Sequence, residues 1–229
     1  GFDDVLISLL SINQVMLIYG GNSNATNISY LYTASQDYIG DSINAADVNG
    51  DGLSDIIIGS PLANPLNRTS AGKVIVIFGS RNFSSNINIS VDSLGANKGF
   101  VTYGENAGDR LGLSVSSGDM NGDGYYDIIV GLGVDEVECT QIASVGKAFV
   151  ILGGSNIGND GFFNLSQLNS TTGFIIEGQG SIGALPFFVK SGGDVNGDGI
   201  ADIMVSAICR ILPSIHAGIV FVVFGKAAP

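Results

Sequence analysis

Three copies of one nine-residue loop constrain this chain more than any other feature: Asp47-Val-Asn49-Gly-Asp51-Gly-Leu-Ser-Asp55, Asp119-Met-Asn121-Gly-Asp123-Gly-Tyr-Tyr-Asp127 and Asp194-Val-Asn196-Gly-Asp198-Gly-Ile-Ala-Asp202. Oxygen-bearing side chains fall at loop positions 1, 3, 5 and 9. Glycines at positions 4 and 6 let the backbone curl tightly enough to aim those oxygens at a common centre. Calcium is a hard cation that takes about six to eight oxygens, and a loop of this kind adds the position 7 backbone carbonyl. The pattern therefore predicts about three Ca2+ sites. Their expected ligands are Asp47, Asn49, Asp51, Leu53 and Asp55; Asp119, Asn121, Asp123, Tyr125 and Asp127; and Asp194, Asn196, Asp198, Ile200 and Asp202.

The first half of each loop reads like an EF-hand, so the second half decides. An EF-hand needs a bidentate Glu at position 12, on an exiting helix. Position 12 is here Ile58, Val130 or Val205, inside the runs Asp55-Ile-Ile-Ile-Gly, Asp127-Ile-Ile-Val-Gly and Asp202-Ile-Met-Val-Ser. These runs are short and rich in β-branched residues, as buried strands are. The loop thus joins two strands, and position 9 closes the cage. A bare hairpin turn is the alternative, because Asn-Gly and Asp-Gly pairs turn without metal. It accounts for the middle of the loop only, since flanking carboxylates repel one another unless a cation lies between them.

The loops open 72 and 75 residues apart, and the likeness continues beyond them. A second strand ends each unit: Gly72-Lys-Val-Ile-Val-Ile-Phe-Gly79, Gly146-Lys-Ala-Phe-Val-Ile-Leu-Gly153 and Gly218-Ile-Val-Phe-Val-Val-Phe-Gly225, with Val15-Met-Leu-Ile-Tyr-Gly20 as an earlier copy. Residues Phe2 to Leu10 resemble the stretch that follows a loop, so the chain is expected to start in mid-repeat. Polar connectors, Gly79 to Gly99 and Gly153 to Gly173, lead into short apolar strands at Phe100-Val-Thr-Tyr and Phe174-Ile-Ile-Glu. The expected units are 1–20 (partial), 21–79, 80–153 and 154–229. Each supplies about four strands and no amphipathic helix, which points to an all-β chain of antiparallel β-propeller blades. Propellers close with about four to eight blades, because closure removes exposed sheet edges. Three to three and a half blades do not close, so further blades or another chain are expected to complete the ring.

These units resemble FG-GAP repeats, the blades of the integrin α-subunit N-terminal β-propeller and its bacterial relatives. Phe78-Gly79 and Phe224-Gly225 match the Phe-Gly element, and Gly59-Ser-Pro61 is a close variant of Gly-Ala-Pro. The connector Gly153-Gly-Ser-Asn-Ile-Gly158 is most similar to bacterial integrin-like surface proteins. The resemblance implies calcium at the loops on one face and partner contacts on another, so that the cation rigidifies without touching ligand. Departures lie in the third unit, where Ala184 and Phe187 replace the Asp37/Gly40 and Asp109/Gly112 pairs. Gly131-Leu-Gly133 and Ser206-Ala-Ile208 replace Gly-Ser-Pro.

The formal charge is −12, from 21 acidic against 9 basic residues. Nine of the acids sit in the loops, so the acidity is local and speaks for cations and against nucleic acid, whose capture needs a basic face. No stretch reaches the roughly 18–20 apolar residues of a membrane span. Weak calcium sites fill outside cells rather than in the cytosol, which predicts a secreted or cell-surface location. Seven N-x-S/T sequons, at Asn24, Asn27, Asn67, Asn82, Asn88, Asn164 and Asn169, are compatible with glycosylation there. Cys139 and Cys209 are either two small buried thiols or an inter-blade disulfide. His216, the only histidine, has no partner cluster and reads as a loop residue.

The leading expectation is a non-catalytic scaffold for adhesion or surface recognition, with a protein or glycan ligand bound at a propeller face. No nucleophile elbow or His-metal cluster is present, and no catalytic residue is assigned. An accessory domain of a secreted hydrolase is one alternative, with a carboxylate pair among the Asp residues still open. A lectin-like propeller is another, using Tyr30, Tyr32, Tyr38, Tyr103, Tyr125 or Tyr126.

Overall fold

The computed structural model describes residues 3–20, 28–32, 37–81, 88–91, 94–95, 97–133, 146–177, 188–212 and 215–227, with 32, 88–89, 207–212 and 215–219 described by backbone alone. In chain order the strands are β1 (Val5–Leu9), β2 (Gln14–Ile18), β3 (Ile28–Tyr32), β4 (Ser42–Ala46), β5 (Asp55–Ser60), β6 (Lys73–Ile77) and β7 (Asn88–Ser90). There follow β8 (Gly99–Tyr103), β9 (Ser114–Gly118), β10 (Asp127–Gly131), β11 (Lys147–Ile151), β12 (Gly173–Glu177), β13 (Phe188–Gly193), β14 (Asp202–Leu212) and β15 (Ile215–Val223). They form four sheets, ordered β1-β2-β3-β7, β4-β5-β6-β8, β9-β10-β11-β12 and β13-β14-β15.

The runs after the loops are strands because they are buried on both faces, where branched side chains pack well on a pleated surface. Every residue of β5 and of β10 is buried. Alternation along β5 sends Ile56 and Ile58 to the first sheet, where they meet Val15, Leu17 and Leu31, while Ile57 joins the core shared with the third sheet. The third sheet repeats the device, with Ile128 and Val130 facing back and Ile129, Ala148 and Val150 facing Val189, Ile203 and Val205 of the fourth. Three apolar cores thus lie between four stacked sheets. Each fully buried Ile or Val contributes about 1.5–3 kcal/mol.

The sheets meet along β4, β9 and β13, each at one end of its sheet. Ser42 Oγ donates to the Gly112 carbonyl at 2.7 Å and Asn44 Nδ2 to Ser117 Oγ at 3.2 Å. Ser114 Oγ donates to the Val189 carbonyl at 3.0 Å, and Ser116 Oγ accepts from the Ser191 N–H at 3.0 Å. Small polar residues here let neighbouring backbones converge, as blades do toward a propeller axis. The molecule is an all-β arc of a β-propeller, not a closed barrel.

Two features differ from the four-stranded antiparallel pattern. The connector between Gly79 and Gly99 contributes β7, which pairs in parallel with β3 at the edge of the first sheet. The fourth sheet has three strands among the described residues. The outermost antiparallel strands β3, β8 and β12 follow Gly20, Gly79 and Gly153, so the first three sheets draw that strand from beyond the Phe-Gly element or the equivalent.

Candidate metal centre

In all three loops the same atoms make the same bonds. Asp47 Oδ1 accepts from the N–H groups of Gly50 (2.7 Å) and Asp51 (3.1 Å), and its Oδ2 accepts from Gly52 (2.8 Å). Asn49 Oδ1 accepts from Asp51 N–H, while Asp51 Oδ1 accepts from Leu53 N–H and Oδ2 from Asn49 Nδ2. Asp119, Asn121 and Asp123 repeat this with Gly122, Gly124 and Tyr125. So do Asp194, Asn196 and Asp198 with Gly197, Gly199 and Ile200. The backbone N–H bonds from Gly199, Gly197 and Asp198 hold the Asp194 carboxyl below its ordinary range. The curl needs left-handed backbone at positions 4 and 6, with φ of 76° and 81° in the first loop, which glycine adopts without penalty.

Position 9 turns inward. Asp55, Asp127 and Asp202 are fully buried. Each accepts from the N–H at loop position 2, at 2.9 Å from Val48, 2.7 Å from Met120 and 2.7 Å from Val195. The other oxygen of each accepts from the glycine that ends the second strand, at 2.8 Å from Gly79, 2.9 Å from Gly153 and 2.9 Å from Gly225. The residue fastens its loop to the far end of the blade. Asp4 does the same for Gly20 at 2.8 Å, a fourth copy that the Asp3-Asp4-Val5-Leu6-Ile7 run signals. Burial pushes the Asp55 carboxyl up to about 6, with the negative Asp51 and Asp47 adding to it against the two N–H bonds. Asp127 is pushed up to about 7 in the same way, with Asp123 and Asp119 adding.

The loops also touch one another. The Tyr126 N–H donates to the Asp47 carbonyl at 3.2 Å and the Ala201 N–H to the Asp119 carbonyl at 3.0 Å. Gly154 and Lys226 donate likewise to the carbonyls of Val48 and Met120. The Tyr125 ring lies so close over Gly50 that a Cβ there would come within 2.3 Å of it, and Ile200 sits beside Gly122. The loops therefore form one continuous edge of the arc. The loop spacing shows the repeat but not this contact, which depends on the position 7 side chain.

Whether the donors fit a hard cation turns on their chemistry. Asn49 Oδ1, Asp51 Oδ1 and Asp47 Oδ2 each accept a backbone N–H and keep acceptor capacity, as a carboxylate or amide oxygen has two lone pairs. With the Leu53 carbonyl they make an all-oxygen set suited to calcium. Among the described residues no three His, Cys, Asp or Glu side chains form a metal-holding group, and the position 9 carboxyls are engaged by the N–H groups of loop position 2 and of the strand-ending glycine.

Other expected residues scatter. Tyr125 lines a cleft of about 510 Å3 with Asp123, Asn156, Asp160, Phe162 and Thr171. Tyr103 packs at a tilt against Phe162 with centroids 5.2 Å apart, Tyr38 and Tyr126 are exposed elsewhere, and Tyr30 is half-buried in β3. The side chain of Tyr32 lies outside the described residues, as do Cys139, Ala184, Phe187, Asn24, Asn27, Asn82 and the side chains of Cys209, His216 and Asn88. The sequon residues Asn67, Asn164 and Asn169 are exposed. No helix among the described residues is long and apolar enough to cross a membrane.

Blades converging on inner strands, each preceded by or enclosing an Asp-x-Asn-x-Asp-Gly loop, define a class of β-propeller repeat. The chain carries FG-GAP repeats: the model of that family, described as "FG-GAP repeat", matches residues 39–77 and 111–131, which hold the first two loops. The chain is 28% identical to integrin alpha-5 of Xenopus laevis over 210 residues, 85% of this chain and 18% of that protein. It is 30% identical to integrin alpha-V of Gallus gallus over 172 residues, 74% of this chain and 14% of that one. It is also 27% identical to phosphatidylinositol-glycan-specific phospholipase D of Dictyostelium discoideum over 205 residues, 85% of this chain and 20% of the enzyme. The chain thus spans about a fifth or less of these relatives.

Proposed function

We propose that this chain is a calcium-stabilised propeller scaffold for recognition at a cell surface or outside the cell, with no catalytic role of its own. The observation that carries the reading is the threefold repetition of one oxygen set on adjacent, hydrogen-bonded loops. Asp47, Asn49, Asp51 and the Leu53 carbonyl, with their counterparts in the other loops, would hold the ions, and Asp55, Asp127 and Asp202 would close the sites after turning from their clamp positions. The cation supplies positive charge that relieves the repulsion of three acids per loop. The similarity to integrin α chains supports recognition of a protein ligand, and the exposed sequon residues fit an extracellular setting. Calorimetric titration of the chelator-treated chain with calcium tests this. About three bound ions with a raised melting temperature are expected, whereas no binding by the folded chain removes the cation from the proposal.

The matched phospholipases favour a second reading, an accessory domain of a hydrolase. The two separate by a binding screen of the purified chain against protein ligands and glycans, with and without calcium. Selective capture of a protein supports the scaffold, and capture of a glycan supports a lectin-like or enzyme-accessory role.

A further inference from the structure

The chain holds three Asn-Gly pairs, and all of them are positions 3 and 4 of the loops: Asn49-Gly50, Asn121-Gly122 and Asn196-Gly197. Such a pair is chemically unstable. The glycine nitrogen attacks Cγ of the preceding asparagine, the Cγ–Nδ2 bond breaks, and ammonia leaves with the proton lost from that nitrogen. Water then opens the resulting succinimide at either C–N bond, giving aspartate or isoaspartate. Glycine favours the attack because it has no Cβ to crowd it. The loop nevertheless demands glycine there, since position 4 has φ of 76°, 71° and 78° in the three copies. The requirement of the fold and the chemical weakness fall on the same residue.

In the closed loop every group that the reaction must move is held. The attacking nitrogens donate their N–H to Oδ1 of position 1, at 2.7 Å from Gly50 to Asp47, 2.7 Å from Gly122 to Asp119 and 2.6 Å from Gly197 to Asp194. A bond to a carboxylate is charge-assisted, and the negative charge beside the nitrogen disfavours the amide anion that attacks. The asparagine side chain is fixed at both ends. Its Oδ1 accepts from the N–H of position 5, and its Nδ2 donates to the position 5 carboxylate at 3.2, 2.8 and 2.9 Å in the three loops. We propose that Asn49, Asn121 and Asn196 are sites of spontaneous deamidation that the position 1 aspartates hold in check, so that each converts only while its loop is open. Gly50, Gly122 and Gly197 are exposed, so water, the only co-reactant, is at hand. Aspartate at position 3 replaces the Nδ2 donor with a carboxylate facing the position 5 carboxylate, and isoaspartate also lengthens the backbone, so a converted loop closes less well than before. The amide is not restored, and the fraction converted in each loop becomes a cumulative record of its opening. The inference rests neither on the cation nor on the recognition reading.

The test is peptide mapping by mass spectrometry of the full chain held in chelator at mildly alkaline pH, reading aspartate plus isoaspartate at the three positions over time. Circular dichroism confirms the fold. All three sites share the sequence Asn-Gly-Asp-Gly, so their intrinsic rates match and differences report the loops. In the folded chain each site is expected to convert at least about tenfold more slowly than in the same chain unfolded in urea, because conversion waits on local opening. Asp47→Ala is expected to speed Asn49 at least about threefold, while Asn121 and Asn196 in the same molecules keep the wild-type rate. Asp47→Asn, whose side-chain oxygen still accepts the Gly50 N–H, is expected to stay closer to wild type. Asp119→Ala is the second variant, with Asn49 and Asn196 as its internal references. Folded wild type that converts as fast as the unfolded chain, or alanine variants in which the asparagine of the altered loop does not outpace the other two, overturns the proposal.

Discussion

Replacing Gly50 and replacing Gly52 by alanine ask the same of the backbone and different things of the neighbours. Both glycines hold left-handed angles, with φ of 76° and 81°. A Cβ in that region costs about 1–2 kcal/mol. On Gly52 it meets nothing within 4 Å, whereas on Gly50 it comes within 2.3 Å of Cε1 of Tyr125. The ring must then leave its seat on the first loop, and forced repacking costs about 1–3 kcal/mol more. Gly52→Ala is thus expected to destabilise the metal-free chain by about 1–2 kcal/mol and Gly50→Ala by about 2–5. Urea unfolding in the presence of chelator measures both without interference from bound ions. In a Tyr125→Ala background the excess at Gly50 should vanish, because the coupling runs through the ring alone. Equal losses for the two alanines, or an excess that persists without the ring, would refute the idea that position 7 side chains join neighbouring loops.

Four further outcomes are expected. At calcium tenfold above its dissociation constant each site adds about 1.4 kcal/mol and three add about 4, so chelation lowers the melting temperature; Asp123→Ala should lose about a third of that gain in differential scanning calorimetry. Without calcium, Asp55 and Asp127 hold protons in the folded chain that unfolded carboxyls near 3.8 have released. Their stabilisation is complete below about pH 4 and lost as pH rises through about 6 and 7, so metal-free urea midpoints should fall across that window, and a rise would contradict the burial argument. Asp37→Ala removes the carboxylate 2.6 Å from the nearly buried Lys73 ammonium and should cost on the order of 3 kcal/mol in urea titration. Phe100→Ala empties a fully buried site between Phe78 and Phe163 and should cost about 3–5 kcal/mol by the same assay.

The strands after the loops and those ending in glycine were legible because Ile-Ile-Ile and Val-Ile-Val-Ile runs have one reading in a chain this rich in turns. β6 and β11 fall within the copies read from sequence, whereas β2 starts one residue earlier, at Gln14, and β15 three residues earlier, at Ile215. The innermost strands were not legible. Ser114-Val-Ser-Ser-Gly118 lacks an apolar alternation, since its serines are there to bond the next sheet's backbone. β7 was hidden for another reason: three residues in a polar connector become a strand only because the edge of β3 is available. At the site, the recurrence of oxygen-bearing side chains at positions 1, 3 and 5 was readable, and in the structure they share one hydrogen-bond pattern in all three loops. The inward turn of position 9 was not readable, because its partners Gly79, Gly153 and Gly225 lie more than 20 residues downstream.

The strand that the first three sheets take from beyond the Phe-Gly element or the equivalent bears on how such a chain can be cut or lengthened. A fragment ending at Gly79 would lose β8 and bare β6, a run of five buried aliphatic and lysine residues, as a sticky edge. A fragment ending after Tyr103 would keep that edge covered. Insertion of a whole unit is different, because the newcomer hands its first strand to the sheet before it and borrows one from the unit after it. The edges of β6 and β11 stay covered by an outer strand in such an insertion, so adding a whole unit bares less strand edge than cutting inside one.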